Sequence, residues 1–365
     1  MARTDNLTNY LTDVATAIKT KKGDNTPIKA SNFDTEIANL PSGGGADMSE
    51  YMLDTYTTDT TSTLNSNVGH WINLIKKLRP ITELPARPLG FFAKYNGGPL
   101  DFSQVNRDVA ITTASYMFAY TDLVSLNIGP LNFDSLTNAN YMFYQSKIGT
   151  LEVGNNTFPN VTSWSCTFMS SNVDMSLIKK IDFSNVKQLG SFAYGCTNLT
   201  GDLEINSDDL YEIGSAFQNT NIESLKISAK GGNSSNVKAS SFARGCTKLK
   251  TLDMSGMSTF LGKIKATSSY SLQYFVRDCT SLENLIFGEN YGNSFATSLS
   301  ANNTYATLDF STCTSLTKTS VLDVFNKVAD ISNKNTQQII LPSGMLAQLT
   351  SEVLAIPTNK GWTVL

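Results

Sequence analysis

The segment Phe242-Ala243-Arg244-Gly245-Cys246-Thr247-Lys248-Leu249-Lys250-Thr251-Leu252-Asp253-Met254 decides the fold, because its apolar spacing returns elsewhere in the chain. The pattern Phe-x3-Cys-x2-Leu-x2-Leu-x-apolar recurs almost unchanged from Phe275 to Phe287. Seven phenylalanines mark the period, with gaps of 25, 25, 24, 25, 25 and 33 residues: Phe118, Phe143, Phe168, Phe192, Phe217, Phe242 and Phe275. A period of this length is the signature of a solenoid made of stacked repeats.

An apolar–x–apolar triplet follows each of these ladder phenylalanines and predicts a short strand, or rung. The outer two side chains of such a triplet point into the core and the middle one points out. We predict nine rungs, two of them at residues 100–102 and 181–183. Their middle residues are Asp101, Asn127, Glu152, Asp182, Glu204, Lys226, Asp253, Ile286 and Asp309. The phenylalanines are predicted to line the opposite wall in short turns, where stacking buries them in a continuous core.

This repeat resembles the leucine-rich repeats of the BspA-like type, over about residues 100 to 316. The resemblance implies an α/β solenoid with short parallel strands. Members of that family serve in adhesion and recognition on bacterial or parasite surfaces and in phage particles.

Composition excludes several classes of function. The 365-residue chain has a net charge of −3 and only 16% charged residues, so neither a nucleic-acid groove nor a basic membrane anchor is expected. It contains no apolar run long enough to insert in a membrane. The first residues lack the apolar core of a signal peptide, which predicts synthesis in the cytoplasm without export by the general secretory route.

The N-terminal region predicts a helical attachment segment. Residues 4–22 read as an amphipathic helix and a second short helix starts at Ser31. Two such helices cannot form a core of useful size, so their apolar face is predicted to dock on a partner. That face comprises Leu7, Leu11, Val14, Ile18, Phe33, Ile37 and Leu40. The segment resembles the N-terminal module of tail-associated structural proteins from phages that infect Gram-positive bacteria, which implies attachment to other virion proteins.

Four regions are predicted: an attachment segment with a glycine-rich linker at 1–46, an N-terminal cap at 47–99, the solenoid at 100–316 and an α/β C-terminal cap at 317–365. In the last cap the pattern predicts a helix at 319–330 that buries Leu322, Phe325 and Val328. A strand at 338–341, a helix at 345–354 and a final strand at 361–365 follow. This ending is similar to that of phage leucine-rich-repeat proteins.

Catalytic chemistry finds no support in the sequence. His70 is the only histidine, and no phosphate-binding, zinc-protease or dinucleotide-binding motif is present. Cys196, Cys246 and Cys279 each follow a ladder phenylalanine by four residues, which indicates stacked core residues rather than disulfides or a zinc site. We therefore expect no enzyme activity, no metal and no cofactor.

Two outward surfaces are candidates for a ligand. The first is the acidic set Asp101, Glu152, Asp182, Glu204, Asp253 and Asp309, which is either a solvated face that discourages edge aggregation or a surface for a cationic ligand. The second is aromatic. Tyr116 and Tyr141 are predicted to be core residues. Tyr120, Tyr144 and Tyr194, which follow a ladder phenylalanine within two residues, are predicted to line up outside and stack on sugar rings, although single surface aromatics are ordinary.

The favoured interpretation is a phage tail-fibre or baseplate protein that binds a host cell-surface glycan or protein, present as a homo-oligomer or in several copies per particle. One alternative is a structural or decoration protein of the virion without a host ligand. Another is a non-viral bacterial adhesion or interaction protein.

Overall fold

The computed structural model describes residues 15–16, 18–19, 90, 92–95, 100–103, 105, 107–108, 110–234, 237–267 and 271–365. The chain divides into two compact units, Met1–Thr58 with Asn73–Pro80, and Asp59–Ile72 with Ile81–Leu365. The described residues of the first unit are helical, as predicted, and Ile18 is buried. His70 and most of the predicted N-terminal cap lie outside the described residues. The same is true of the other predicted docking residues, which are Leu7, Leu11, Val14, Phe33, Ile37 and Leu40.

The second unit is built on parallel strands, which form three sheets in the part of the chain that the structure describes. The first sheet holds β1 (Asp122–Asn127) and β2 (Lys147–Glu152). The second holds β3 (Thr200–Ser207), β4 (Asn221–Ala229), β5 (Thr251–Asp253) and β6 (Asn284–Ile286). The third holds β7 (Leu308–Asp309), β8 (Gln337–Ile340) and β9 (Trp362–Val364). With few and short helices beside them, the fold is α/β with parallel strands.

Seven of the nine predicted rungs fall on β1 to β7 and alternate as expected. Leu203 and Ile205, for example, are buried, and Glu204 between them is exposed. Because the side chains of a strand alternate between two faces, each triplet contributes two residues to the core and one to the surface.

The rungs predicted at residues 100–102 and 181–183 are wrong, because neither segment is a strand. The backbone N–H of Asp182 donates to the carbonyl of Thr157 at 2.9 Å, so residues 181–183 follow the path of the chain that comes after the strand. Phe183 accordingly repeats Phe158 and Phe133 at intervals of 25 residues. Leu126 and Leu151 begin their triplets eight residues after Phe118 and Phe143. The corresponding segment after Phe168 forms α1 (Met175–Ile178) instead of a strand.

Short turns of successive segments are joined to one another by backbone hydrogen bonds. The N–H groups of Tyr116, Phe118 and Tyr120 donate to carbonyls of the next turn at 3.1, 2.8 and 2.7 Å. Two residues of each turn, four apart, have positive φ. The first left-handed position holds Gly90, Tyr116, Tyr141, Cys166, Ser191, Ser215, Ser241 and Tyr274. The second holds Lys94, Tyr120, Gln145, Ser170, Gly195, Asn219, Gly245 and Asp278.

This register sorts the ladder phenylalanines into two rows. Phe118, Phe143, Phe168 and Phe217 lie two residues after the first left-handed position, whereas Phe192, Phe242 and Phe275 lie one residue after it. Rings within the first row stack in parallel, as Phe143 does on Phe118 and on Phe168, with centroids 5.5 Å apart. Where the row changes, at Phe168 and Phe192, the rings meet edge to face at 5.4 Å. A further ring that the sequence analysis missed, Phe92, stacks on Phe118 at 5.3 Å.

The remaining helices are short. A 3-10 turn at Ser255–Met257 leads into α2 (Ser258–Gly262), inside an insert between turns. The helix predicted at 319–330 is present as α3 (Lys318–Lys327), but Leu322 is 37% exposed, because Val321, Val324 and Phe325 form the buried stripe instead. The helix predicted at 345–354 has the wrong bounds: a 3-10 turn at Leu346–Gln348 precedes α4 (Ser351–Thr358). Strands β8 and β9 confirm the two predicted at the C-terminal end.

Candidate ligand-binding faces

The first candidate is the strand face, defined as the outward middle residues of the rungs that are strands. In the sheets Glu152 lies beside Asn127, Glu204 beside Lys226, Asp253 between Lys226 and Ile286, and Asp309 beside Ile340. None of these four carboxylates neighbours another within the described sheets, so the predicted row of adjacent acids is not formed. Asp101 and Asp182 lie off the strands altogether.

Four of the six predicted acidic residues are engaged in local turns. The carboxylates of Asp101, Asp182 and Asp253 each accept the backbone N–H two residues further on, all at 2.9 Å, and that of Asp309 does the same at 3.0 Å. In every case the donor is a serine, namely Ser103, Ser184, Ser255 and Ser311. Short polar side chains commonly hold a turn in this way. The recurring Asp-apolar-Ser sequence was the available signal for this role.

Glu204 is paired across two strands. Its Oε1 lies 2.9 Å from Nζ of Lys226 and accepts a hydrogen bond from Nδ2 of Asn206 at 3.0 Å. These bonds, that of Asn206 first, lower the pKa of Glu204. Both partners of the ion pair are 52% exposed, so it adds little stability. Because five of the six acids are paired or held in turns, the strand face is weakly suited to a cationic ligand. Among the described residues, no metal-binding cluster of acids, cysteines or histidine occurs.

The second candidate is the tyrosine cluster, made of Tyr116, Tyr120, Tyr141 and Tyr144. Tyr116 and Tyr141 occupy the first left-handed position of adjacent turns, and their rings stack with centroids 4.5 Å apart and planes 5° from parallel. Tyr144 meets Tyr141 edge-on at 5.6 Å and Tyr120 at 5.2 Å. Tyr116 and Tyr141 are half-buried, not core residues as predicted, because the left-handed position turns them toward the surface.

Tyr194 does not join this cluster. Tyr144 and Tyr194 both lie three residues after the first left-handed position of their turns, but Met169 holds that place in the turn between them. Tyr120 lies one position further along its own turn. The continuous row predicted for Tyr120, Tyr144 and Tyr194 is therefore wrong, although Tyr120 and Tyr144 are in contact.

A row of polar side chains lies three residues before the first left-handed position and so runs beside the tyrosine cluster. Parallel bridges join its members: Thr113, Asn138, Ser163, Gln188, Glu212 and Lys238. The hydroxyl of Ser163 is 3.0 Å from Oε1 of Gln188, and Nζ of Lys238 is 3.3 Å from Glu212. The row is uncharged from Thr113 to Gln188, which is the part nearest the cluster.

The three cysteines predicted to be core residues are buried, which confirms that part of the prediction. All five are free, and Cys196, Cys246 and Cys279 are fully buried. The thiol of Cys196 donates to the carbonyl of Phe168 at 2.8 Å, and Ser171 takes the corresponding position in the preceding turn. Burial raises the pKa of Cys196 to about 11, which disfavours the nucleophilic thiolate.

No family model, curated protein or solved structure matches the chain. Within the described residues, no helix has the length and apolar character that a membrane span requires. The repeat geometry and the two candidate faces are therefore what supports a function.

Proposed function

We propose that the chain is a phage tail-fibre or baseplate protein that binds the host cell surface through a leucine-rich-repeat solenoid of the BspA-like type. Parallel strands on one wall and hydrogen-bonded turns on the other are what such a solenoid requires. The likeness of residues 1–46 to phage tail attachment modules supports a place in the virion, with that segment gripping another virion protein.

The observation that carries the host-binding proposal is the tyrosine cluster beside an uncharged polar row. Half-exposed rings in contact with one another, next to serine and amide side chains, offer flat apolar faces and hydrogen-bonding groups at one place. Contacts of this kind are individually weak. Several copies of the chain on one particle make them effective, since each bound copy raises the local concentration of the next.

A structural role in the particle is the second candidate. It is favoured by the acidic turns, because Asp253 and Asp309 serve their own backbone rather than a ligand. A non-viral adhesion protein is the third candidate. None of the three candidates assigns catalysis, a metal or a cofactor to the chain.

Binding of the full chain to cells tests the proposal. Labelled protein is added to intact Gram-positive cells as single copies and as a streptavidin-linked tetramer, with unloaded streptavidin as the control. We expect saturable binding that tightens by about a hundredfold on clustering. Absence of binding in both forms would favour the structural role, and antibody labelling of purified particles would then show whether the chain lies on the tail.

A further inference from the structure

We propose that the tyrosine cluster is a binding site for the pyranose rings of an uncharged cell-surface glycan. This inference rests on the proposed host binding and names its ligand class and its location. Tyr116 and Tyr141 supply the stacked platform, and Tyr144 and Tyr120 form its edge.

Small residues occupy the first left-handed position on either side of the stacked pair. The turn before Tyr116 carries Gly90 at the first left-handed position, and glycine has no side chain with which to cover the ring. One face of Tyr116 lies against Tyr141, so the opposite face is left uncovered from that position. On the far side of Tyr141 the same position holds the small side chain of Cys166. Among the described residues, no large side chain at a neighbouring first left-handed position covers the outer faces of the pair, and this arrangement suits a flat ligand.

Turn formation does not explain the tyrosines. Tyr116, Tyr120 and Tyr141 all have φ of 59°, a backbone conformation that is unfavourable for a bulky residue. Equivalent positions of other turns hold Ser191, Ser215 and Gly195, which adopt the same conformation with small side chains. Tyr274 occupies the same position of a later turn, so a single tyrosine there is not a departure. Three tyrosines in two adjacent turns, within one cluster of contacting rings, are the local feature that points to function.

The surroundings favour an uncharged ligand. Nε2 of Gln145 donates to the hydroxyl of Tyr144 at 2.8 Å, and the polar row beside the cluster has Asn138 and Ser163 at this level. Sugar hydroxyls both donate and accept hydrogen bonds, as do tyrosine hydroxyls and side-chain amides. The C–H groups of a pyranose face pack on a tyrosine ring. A polyanion would need a set of cations. Among the described residues, Lys94 is the cation that lies over these rings, with its Nζ 6.0 Å from the centroid of the Tyr120 ring.

The test compares the full-length protein with variants chosen so that the turns still form. The double variant Tyr116→Ser with Tyr141→Ser places serine at both positions. Serine already occupies the equivalent position of two other turns, at Ser191 and Ser215. Tyr144→Ala, outside the left-handed positions, is a second variant, and Tyr141→Phe keeps the ring. Tyr194→Ala is the matched control, because Tyr194 has the same place in its turn as Tyr144 but lies away from the cluster. Circular dichroism and the melting temperature confirm folding of each variant.

The probes are uncharged oligosaccharides of glucose, galactose and N-acetylglucosamine, with a phosphate-bearing cell-wall polymer as the charged comparison. We expect the unmodified chain to bind at least one neutral oligosaccharide, with little change between low salt and about 1 M salt. The double serine variant and Tyr144→Ala should bind about tenfold more weakly or worse, while Tyr194→Ala binds normally. Tyr141→Phe, which keeps the ring and loses the hydroxyl, should lose less affinity than the double serine variant.

Three results would overturn the proposal: no binding to any neutral oligosaccharide, equal binding by the double serine variant, or binding to the charged polymer alone. If the unmodified chain still binds cells in any of these cases, host binding stands and its site lies elsewhere. If it does not bind cells even when clustered, the proposed function itself fails.

Discussion

The side chain of Asn172 closes the free edge of β2 by imitating a peptide group against Ile148. Its Oδ1 accepts the N–H of Ile148 at 2.9 Å and its Nδ2 donates to the carbonyl of the same residue at 2.9 Å. The first sheet therefore ends after two strands without leaving these backbone groups unpaired. This matters because α1 replaces the next strand, and an open edge would otherwise invite pairing with another chain.

Replacing Asn172 with leucine should remove both bonds and lower the free energy of unfolding by about 1–3 kcal/mol. We also expect concentration-dependent association, detectable by size-exclusion chromatography, because the edge of β2 is then open. Asn172→Asp keeps only the acceptor, so its stability should lie between that of the unmodified chain and that of Asn172→Leu. The control variant is Asn198→Ala, which removes one exposed hydrogen bond from Nδ2 to the carbonyl of Asn172 and should change stability little. Monomeric Asn172→Leu protein with unchanged stability would contradict this account.

The two rows of phenylalanines make a prediction about Phe192. The ring is fully buried and contacts Phe168 and Phe217, so Phe192→Ala should cost about 3–5 kcal/mol in urea unfolding. Phe192→Met should cost much less, since Met117 and Met142 occupy the same row in other turns. Equal losses for alanine and methionine would show that the row assignment is mistaken.

Alkaline pH should destabilise the protein through Cys196. The thiol pKa rises from 9.0 to about 11 on folding because burial disfavours the thiolate. A raised folded-state pKa means that this contribution is complete below pH 9.0 and is lost as the pH rises toward about 11, at up to roughly 3 kcal/mol. Cys196→Ser keeps a hydroxyl donor at the position that Ser171 holds one turn earlier and should reduce that loss. Unfolding measured from pH 8 to about 11 checks this, and an identical pH dependence in the serine variant would refute it.

Asp253 should matter for its oxygen rather than its charge. It accepts the backbone N–H and the hydroxyl of Ser255, and Asn127 accepts the N–H of Gly129 in the same way from β1. Asp253→Asn should therefore be nearly neutral, whereas Asp253→Ala should cost about 1 kcal/mol. Thermal unfolding of the two variants separates the roles, and equal destabilisation would point to the charge instead.

The acidic residues should contribute little to cell binding. Asp182 holds its own turn through Ser184, and Glu204 is paired with Lys226. The double variant Asp182→Asn with Glu204→Gln is thus expected to bind cells as tightly as the unmodified chain and with the same salt dependence. A marked loss of affinity at low salt would restore the cationic-ligand hypothesis.

The period of the phenylalanines was enough to predict the parallel strands and the turns, because each repeat must bury the same face against its neighbours. It did not distinguish a rung from the segment after it, since Ile181-Asp182-Phe183 alternates like a strand. Only the 25-residue relation of Phe183 to Phe158 and Phe133 separates the two. The surface arrangement of the tyrosines could not be predicted either. It depends on which residues adopt positive φ, and Tyr116, Tyr120 and Tyr141 are not residues that favour it.

The turn ladder has a direction. The N–H groups of one turn consistently meet carbonyls of the following turn, as those of Phe118 and Phe168 do with Met142 and Phe192. The two ends of such a stack are chemically unlike, one offering carbonyls and the other N–H groups. Like ends would not fit together, so copies joined through this ladder would add head to tail, as a ring or an open filament, rather than as a two-fold symmetric pair. At the donor end the hydroxyl of Thr312 accepts the N–H of Asp278 at 2.6 Å, so this group is already paired within the chain.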